Sequence, residues 1–343
     1  MRSRKREVDM GESERVYLPK ISVTGEIMRL IMEIAAALEH YQIVMEGPDG
    51  VRLRKLNHIR TIRGTTAIEG NTLNEDQITA VLAGKRVVAS QREVDEVKGA
   101  HRAYEKIETF NPYSMRDLLK AHALMTEGLV AHPGEFRKCA VGVVNGVGEV
   151  IHLAPRFELV PGLMDDLFAW LDESEEPVLV KSCVFHWCFE DIHPFPDGNG
   201  RMGRLWQTAL LGSWNPLFYA APIENIVWAH QAEYYAAIRA VEENGLDCAP
   251  FVEFMLDKIL RTLKAKGESG EAKSRDKSRD KSKDKSRDKI LTLLREKPDL
   301  RQSELAEALG LSVKAIEKIV RQLKDANLIR RAGGKKFGHW EVG

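Results

Sequence analysis

The sequence predicts a mainly α-helical protein of two folded units, and three features predict it. Apolar residues recur at helical spacing over most of residues 23–264, one short run of alternating valines interrupts them, and a charged four-residue repeat sets them apart from a compact C-terminal segment. A chain of 343 residues exceeds the roughly 100 to 200 of one ordinary domain, so it can bury a full core and still carry a second unit. Formal charge is balanced, with 51 basic and 51 acidic residues, and predicts no partner by itself. The balance is uneven, however: from Lys289 to Val342 there are 12 Lys and Arg against 7 Asp and Glu, a local excess of 5 of the kind that marks contact with nucleic acid.

Residues 1–22 form a charged N-terminal arm without the apolar core of a signal peptide, and no apolar stretch approaches the roughly 18 residues of a membrane span. No membrane partner is expected. The four cysteines, Cys139, Cys183, Cys188 and Cys248, contain no CxxC pair and no framework spacing, which points to reduced thiols and a cytoplasmic location. "TGEIMRLIMEIAAALEHYQIVM" places Ile27, Leu30, Ile31, Ile34, Ala35 and Leu38 on one helix face, and "SMRDLLKAHALMTEGLV" does the same with Leu118, Ala121, Leu124 and Met125. Between Gly134 and Pro155 valines alternate around Asn145-Gly146, the turn chemistry of a β-hairpin. Helical spacing returns from Pro161 and lasts to about Leu263.

Residues 265–288 then form a linker, because "KSRDKSRDKSKDKSRD" holds no apolar residue that could drive a core. The last unit, residues 289–343, has helix-turn-helix spacing. A first helix ends near Lys297-Pro298, Ser303 caps a short second helix that Gly310 ends, Ser312 caps a third with Ala315, Ile316, Ile319, Val320 and Leu323 on one face, and two strands follow around Gly333-Gly334. This segment resembles a winged-helix domain, in which Lys314, Glu317, Lys318 and Arg321 would lie on the outer face of a recognition helix. DNA is one partner this implies; a protein contact is the other.

The chemistry concentrates in "HPFPDGNGRMGR", His193 to Arg204. Gly198, Gly200 and Gly203 match G-x-G-x-x-G, but a dinucleotide site needs a preceding strand, and the residues before this run have helical spacing. His186, Glu190 and His193 could ligate zinc from one helix face, were it not that Pro194 ends the helix where the third ligand would be held. Phosphate requirements fit better. Gly198-Asn199-Gly200 can turn successive N–H groups inward at the start of a helix beginning near Arg201, and Arg201 and Arg204 project from its first turn. Asp197 can hold Mg²⁺ through a carboxylate oxygen, and His193 can take a proton from an attacking hydroxyl.

The twelve residues resemble, without a mismatch, the signature of the Fic family, H-x-F-x-[DE]-G-N-G-R-x-x-R. The resemblance implies a Fic-type helical bundle with a hairpin flap, and transfer of AMP from ATP to a protein hydroxyl. His193 would be the general base and Asp197 the Mg²⁺ ligand. Gly198, Asn199 and Gly200 would hold the α-phosphate, Arg201 and Arg204 would meet the β- and γ-phosphates, and Phe195 would be core. "HWCFEDI" is similar to the family's lead-in, so His186 is a buried structural histidine, and residues 137–155 correspond to a flap that can add a strand to a target segment. "QAEYYAAIRA" resembles the tyrosine-bearing helix near the nucleoside, which leaves Tyr234 and Tyr235 each between adenine contact and core packing.

"TTAIEGN", Thr65 to Asn71, resembles the family's inhibitory helix motif [ST]-x-x-x-E-[GN], placed near residues 61–70. Thr65 lies one turn before Glu69, and Gly70 ends the helix. By that resemblance Glu69 pairs bidentately with Arg204, occupies the guanidinium that the γ-phosphate needs and restrains the enzyme within one chain. In some relatives the same glutamate positions water to remove AMP from a modified target, which leaves deAMPylation as a further activity. The alternative is a nucleotide-sensing, DNA-binding transcriptional regulator; phosphate or phosphocholine transfer also occurs on this fold. The partners implied are a protein carrying a Ser, Thr or Tyr hydroxyl, DNA through residues 289–343, and a second copy of the chain as a homodimer.

Overall fold

The computed structural model describes residues 20–144 and 150–265, together with residues 290, 293–294, 297–298, 300, 304–306, 316, 320, 323–324, 329–332 and 339–342. The chain divides into two compact units, Met1–Gly267 and Glu268–Gly343. The larger unit is built on eleven helices among its described residues: α1 (Gly25–Glu46), α2 (Gly50–Ala67), α3 (Glu75–Leu82), α4 (Gln91–Glu105), α5 (Met115–Thr126), α6 (Val160–Glu173), α7 (Val178–Ile192), α8 (Asn199–Trp214), α9 (Ile223–Ala229), α10 (Gln231–Glu243) and α11 (Ala249–Lys264). One antiparallel hairpin, β1 (Gly142–Val144) with β2 (Val150–Leu153), lies between α5 and α6, and its register slips between Val143 and Val144. The Asn145-Gly146 turn expected there lies outside the described residues.

The centre of the unit is the α7–α8 pair. Both helices are buried around nearly their whole circumference, which is how a helix behaves when other elements cover every face. Around them α1 packs on α11, α2 on α9 and α4 on α5. α1 begins where the Thr24 hydroxyl accepts the Ile27 N–H at 3.1 Å, and it buries Ile27, Leu30, Ile34 and Leu38. Ile31 is only half-buried and Ala35 is exposed, so the apolar face is narrower than the spacing suggests. In α5, Leu118, Ala121 and Met125 are buried and Leu124 half-buried. Capping boxes start α3 (Asn74 with Gln77) and α4 (Ser90 with Glu93).

The motif expected near residues 61–70 is the end of a much longer helix, α2, which starts at Gly50. Its inner face carries Asn57, Thr61, Thr65 and Thr66 beside Ile59 and Ile62, so hydrophobic periodicity does not announce it. Ala67 is its last residue, and Gly70 takes the left-handed conformation (φ 92°) just beyond Glu69.

In the smaller unit, β3 (Ile329–Ala332) pairs antiparallel with β4 (His339–Val342), the two strands expected around Gly333-Gly334. Ile290, Leu294, Leu305, Ala306, Ile316, Val320, Leu323 and Trp340 form its core. Trp340 ties the second strand down, its N–H donating to the Pro298 carbonyl at 2.8 Å and its indole N–H to that of Leu300 at 3.0 Å. The charged repeat and the outer-face residues Lys314, Glu317, Lys318 and Arg321 lie outside the described residues.

Candidate active site

α7 stops at Ile192 because His193 turns into the left-handed region (φ 51°, ψ 58°) and Pro194 follows, which cannot continue a helical hydrogen-bond ladder. The chain then loops over Phe195. That ring is fully buried, stacked on the His122 imidazole with centroids 3.6 Å apart, and flanked by Phe136 and Phe189. Asn199 closes the loop. Its side-chain Oδ1 accepts the Phe195 N–H and its Nδ2 donates to the Phe195 carbonyl, both at 2.8 Å. The Asn199 side chain is thus spent on the loop itself, and what it can offer a ligand is its main-chain N–H.

α8 also starts two residues earlier than expected, at Asn199, with Gly198 at its N-cap in a conformation (φ 85°) closed to other residues. Its first-turn N–H groups lack intrahelical acceptors and, with the positive end of the helix dipole, can receive an anion. Gly200 needs no unusual backbone. It is required by crowding, since a Cβ there would lie 2.3 Å from Glu69 Oε1 and 3.0 Å from Arg204 Nη1.

Three arginines surround this helix end. Arg204, 3 % exposed, donates through Nη2 to Glu69 Oε1 at 2.6 Å and to the Thr65 carbonyl at 3.1 Å, while its Nε donates to Thr65 Oγ1 at 3.3 Å. The pairing with Glu69 is one hydrogen bond rather than the expected bidentate fork, because Thr65 takes up the rest of the guanidinium edge. Burial works against the charge on Arg204, but its acidic neighbours, Glu69 foremost, outweigh it and raise the pKa. Arg201 donates to Asp197 Oδ1 at 3.1 Å, and Arg92, from α4, donates to Asp197 Oδ2 at 2.7 Å.

His193 is half-buried at the rim of a cleft lined by Glu69, Glu190, Gly200, Arg204 and Tyr235 among others. Its Nδ1 lies 3.4 Å from the Glu190 carbonyl. His186 is fully buried, with Nδ1 2.7 Å from Gln207 Oε1 and Nε2 3.0 Å from the Tyr234 hydroxyl. With both nitrogens engaged it is the structural histidine expected, and the zinc set with Glu190 and His193 does not form: among the described residues no three His, Cys, Asp or Glu side chains could hold a metal. Tyr234 and Tyr235 both line the cleft; Tyr234 is otherwise buried, with its hydroxyl on His186, and Tyr235 is half-buried.

Comparison with known proteins settles the family. A family model described as Fic/DOC matches residues 112–211, and the solved structure of a Fic family protein from Desulfovibrio desulfuricans G20 is 36% identical, covering 95% of this chain and 98% of that one with a TM-score of 0.69. The chain belongs to the Fic family. A second model, described as winged helix-turn-helix DNA-binding, matches residues 283–330. Among curated relatives, a protein adenylyltransferase Fic from Culex quinquefasciatus is 30% identical over 228 residues, 62% of this chain and 42% of its own. A probable protein adenylyltransferase from Aquifex aeolicus is 39% identical over 89 residues, 26% of each chain. This Fic chain thus spans less than half the length of these curated relatives.

The donor set of the Fic loop fits a polyphosphate. Arg201 is 2 % exposed, yet its Nε and Nη1 have no hydrogen-bond partner, a costly arrangement unless a ligand supplies acceptors. The Asp197 carboxylate has the oxygen chemistry to ligate Mg²⁺, an ion usually held by one or two carboxylates plus substrate, jointly with phosphate oxygens once its contacts with Arg92 and Arg201 make room.

Two positioning residues escape any reading of the motif. Gly134 N–H donates to Nδ1 of His122 at 2.9 Å, so the proton sits on Nε2 and donates to the Asp197 carbonyl at 3.0 Å; burial pulls its pKa down to about 4. Arg137, 3 % exposed, donates to the carbonyls of His193, Cys139, Pro155 and Ile192, and so pins the base of the hairpin to the catalytic loop. His122 shows in the sequence only as a polar residue on the apolar face of α5. Arg137 leaves no local signal.

Proposed function

We propose that the chain is a protein adenylyltransferase that moves AMP from ATP to a hydroxyl of a target protein, and of itself, and that Glu69 restrains it in cis. One observation carries the reading: at the open end of α8 a buried guanidinium with unpartnered donors, Arg201, adjoins the loop that sets His193 at the cleft rim. The helix end and Arg201 bind and orient the phosphates. Arg204 would join them once Glu69 leaves it.

His193 then acts on the attacking hydroxyl. Contact of its Nδ1 with the Glu190 carbonyl keeps that nitrogen protonated, so Nε2 takes the hydroxyl proton as the oxygen bonds to the α-phosphorus. The bond from that phosphorus to the bridging oxygen breaks, and pyrophosphate departs with the electron pair. Mg²⁺ held by Asp197 and the phosphates would supply neutralisation of the charge on the leaving group. Both Tyr234 and Tyr235 line the cleft, and Tyr235, the less buried of the two, has the more ring surface to offer the nucleoside.

The restraint rests on position. With Glu69 Oε1 2.6 Å from Arg204 Nη2, the carboxylate stands where a phosphate oxygen would have to pair with that guanidinium. ATP binding beside it would be held in a pose unsuited to attack. The test uses Glu69→Gly protein with ATP labelled on the α-phosphate in one tube and the γ-phosphate in another: label should enter protein only from the first. Label from the γ-position, or from neither, would refute AMP transfer.

A second reading is supported by the winged-helix match and by the basic excess of residues 289–343: DNA binding by the C-terminal unit, with the Fic unit sensing nucleotide. A gel shift at low salt that is lost on deleting residues 289–343 would support it, and no shift would leave protein contact as the role of that unit.

A further inference from the structure

The carboxylate expected to hold the metal already has a cationic partner from outside the signature. Arg92, the second residue of α4, bridges 105 positions of sequence to place Nη2 2.7 Å from Asp197 Oδ2, while its Nε donates to Glu96 Oε1 at 3.1 Å. The other Asp197 oxygen accepts from Arg201. Both carboxylate oxygens are thus engaged. α4 does not need this contact for its own start, which the Ser90–Glu93 capping box secures.

The seat of Arg92 is fixed from behind. Glu96 Oε2 accepts the Asn71 side-chain N–H at 2.9 Å, and Glu93 Oε1 accepts both the main-chain N–H and the hydroxyl of Thr72, at 3.1 and 2.7 Å. Asn71 and Thr72 directly follow Glu69-Gly70, so one turn of α4 holds both Arg92 and the segment behind the restraining glutamate.

We propose that Arg92 is a resident counter-ion that competes with the divalent cation for Asp197, so that metal loading exchanges a guanidinium for the ion. This rests on the reading of the site as one for a metal–nucleotide complex. Mg²⁺ keeps several of its waters and needs near-octahedral room at about 2.0–2.1 Å from oxygen, which a guanidinium nitrogen already hydrogen-bonded to the same oxygen denies it. The two cations also repel each other. Yet the Arg92 side chain is 61% exposed, and exposed pairs are weak, so the contact tunes the metal requirement without abolishing binding. Lysine could not do the same, because only the planar fork reaches Glu96 and Asp197 together.

The test compares full-length wild type, Arg92→Gln and Arg92→Lys by calorimetric titration with α,β-methylene ATP, in EDTA and over a series of free Mg²⁺ concentrations. Arg92→Gln should lower the Mg²⁺ midpoint about two- to fivefold and leave the affinity in EDTA within about twofold, with Arg92→Lys shifted less in the same direction. A midpoint that stays or rises in both variants overturns the proposal. So does a tenfold loss of affinity in EDTA, which would make Arg92 a phosphate ligand. If wild type binds no nucleotide under either condition, the reading of the site fails and this one with it; binding with an unmoved midpoint overturns the role of Arg92 alone.

Discussion

Replacing Glu69 by glycine tests the restraint most directly, and the structure sets its size. The Glu69–Arg204 contact is 2.6 Å long, with Arg204 3 % and Glu69 35% exposed at the side chain. Two unit charges 4 Å apart attract by about 4 kcal/mol at an effective dielectric constant of 20, and exposure of one partner lowers that figure. Only one hydrogen bond joins them, and the Thr65 carbonyl and hydroxyl remain on the guanidinium after Glu69 is gone. A release of about 1.5–3 kcal/mol follows, or about tenfold to a hundredfold in rate. The assay is self-labelling from α-labelled ATP with Mg²⁺, alongside thermal unfolding to confirm equal folding. Glu69→Gln, which keeps the shape and loses the charge, should fall between glycine and wild type. Labelling of folded Glu69→Gly protein within twofold of wild type would refute the reasoning.

Three further outcomes are expected. In a Glu69→Gly background, His193→Ala should lower labelling at least a hundredfold, the usual scale of general base catalysis, while nucleotide affinity by calorimetry changes less than threefold. His122 is held near pKa 4 against an ordinary value of 6.5, so the unfolded chain binds its proton first. The stability this contributes is full above about pH 6.5 and is lost as pH falls toward 4, about 3 kcal/mol in all. Unfolding temperatures measured from pH 7 to 4.5 should accordingly fall less steeply for His122→Gln than for wild type. Gly200→Ala places a methyl 2.3 Å from Glu69 Oε1 and 3.0 Å from Arg204 Nη1, over the helix end where a phosphate would stand, so in a Glu69→Gly background it should lower both nucleotide affinity and self-labelling severalfold.

What could be read from the sequence was what lies close along the chain. α1, α5, α7 and α8 declare themselves by apolar residues at helical spacing, and the loop from His193 to Arg204 gathers its chemistry into twelve consecutive residues. α2 was hidden because threonines and Asn57 line its buried side. The Glu69–Arg204 contact spans 135 positions, and only family resemblance could suggest it. Arg92 with Asp197, His122 with Asp197 and Arg137 with His193 span 105, 75 and 56 positions, and no local pattern encodes them. Asn199 shows a different limit. Its amide could serve a phosphate or its own loop, and only the two 2.8 Å bonds to Phe195 decide between them.

The acids around the loop differ in setting, and Glu190 supports assigning the proposed restraint to Glu69. Burial pushes the Glu190 carboxyl up, but His186, His193 and Arg204 together pull it below the ordinary range, so it is ionised at neutral pH. Arg204 therefore keeps an anionic neighbour when Glu69 departs, and release does not strand a bare buried charge, which would cost several kcal/mol. That makes release reachable by modest forces, such as a competing phosphate. Glu190, on α7, approaches α8 at Gly203, whereas Glu69 lies against Gly200 in the first turn of α8. On the proposed reading, restraint and release differ in which anion stands over Gly200, with the charge on Arg204 balanced in either state.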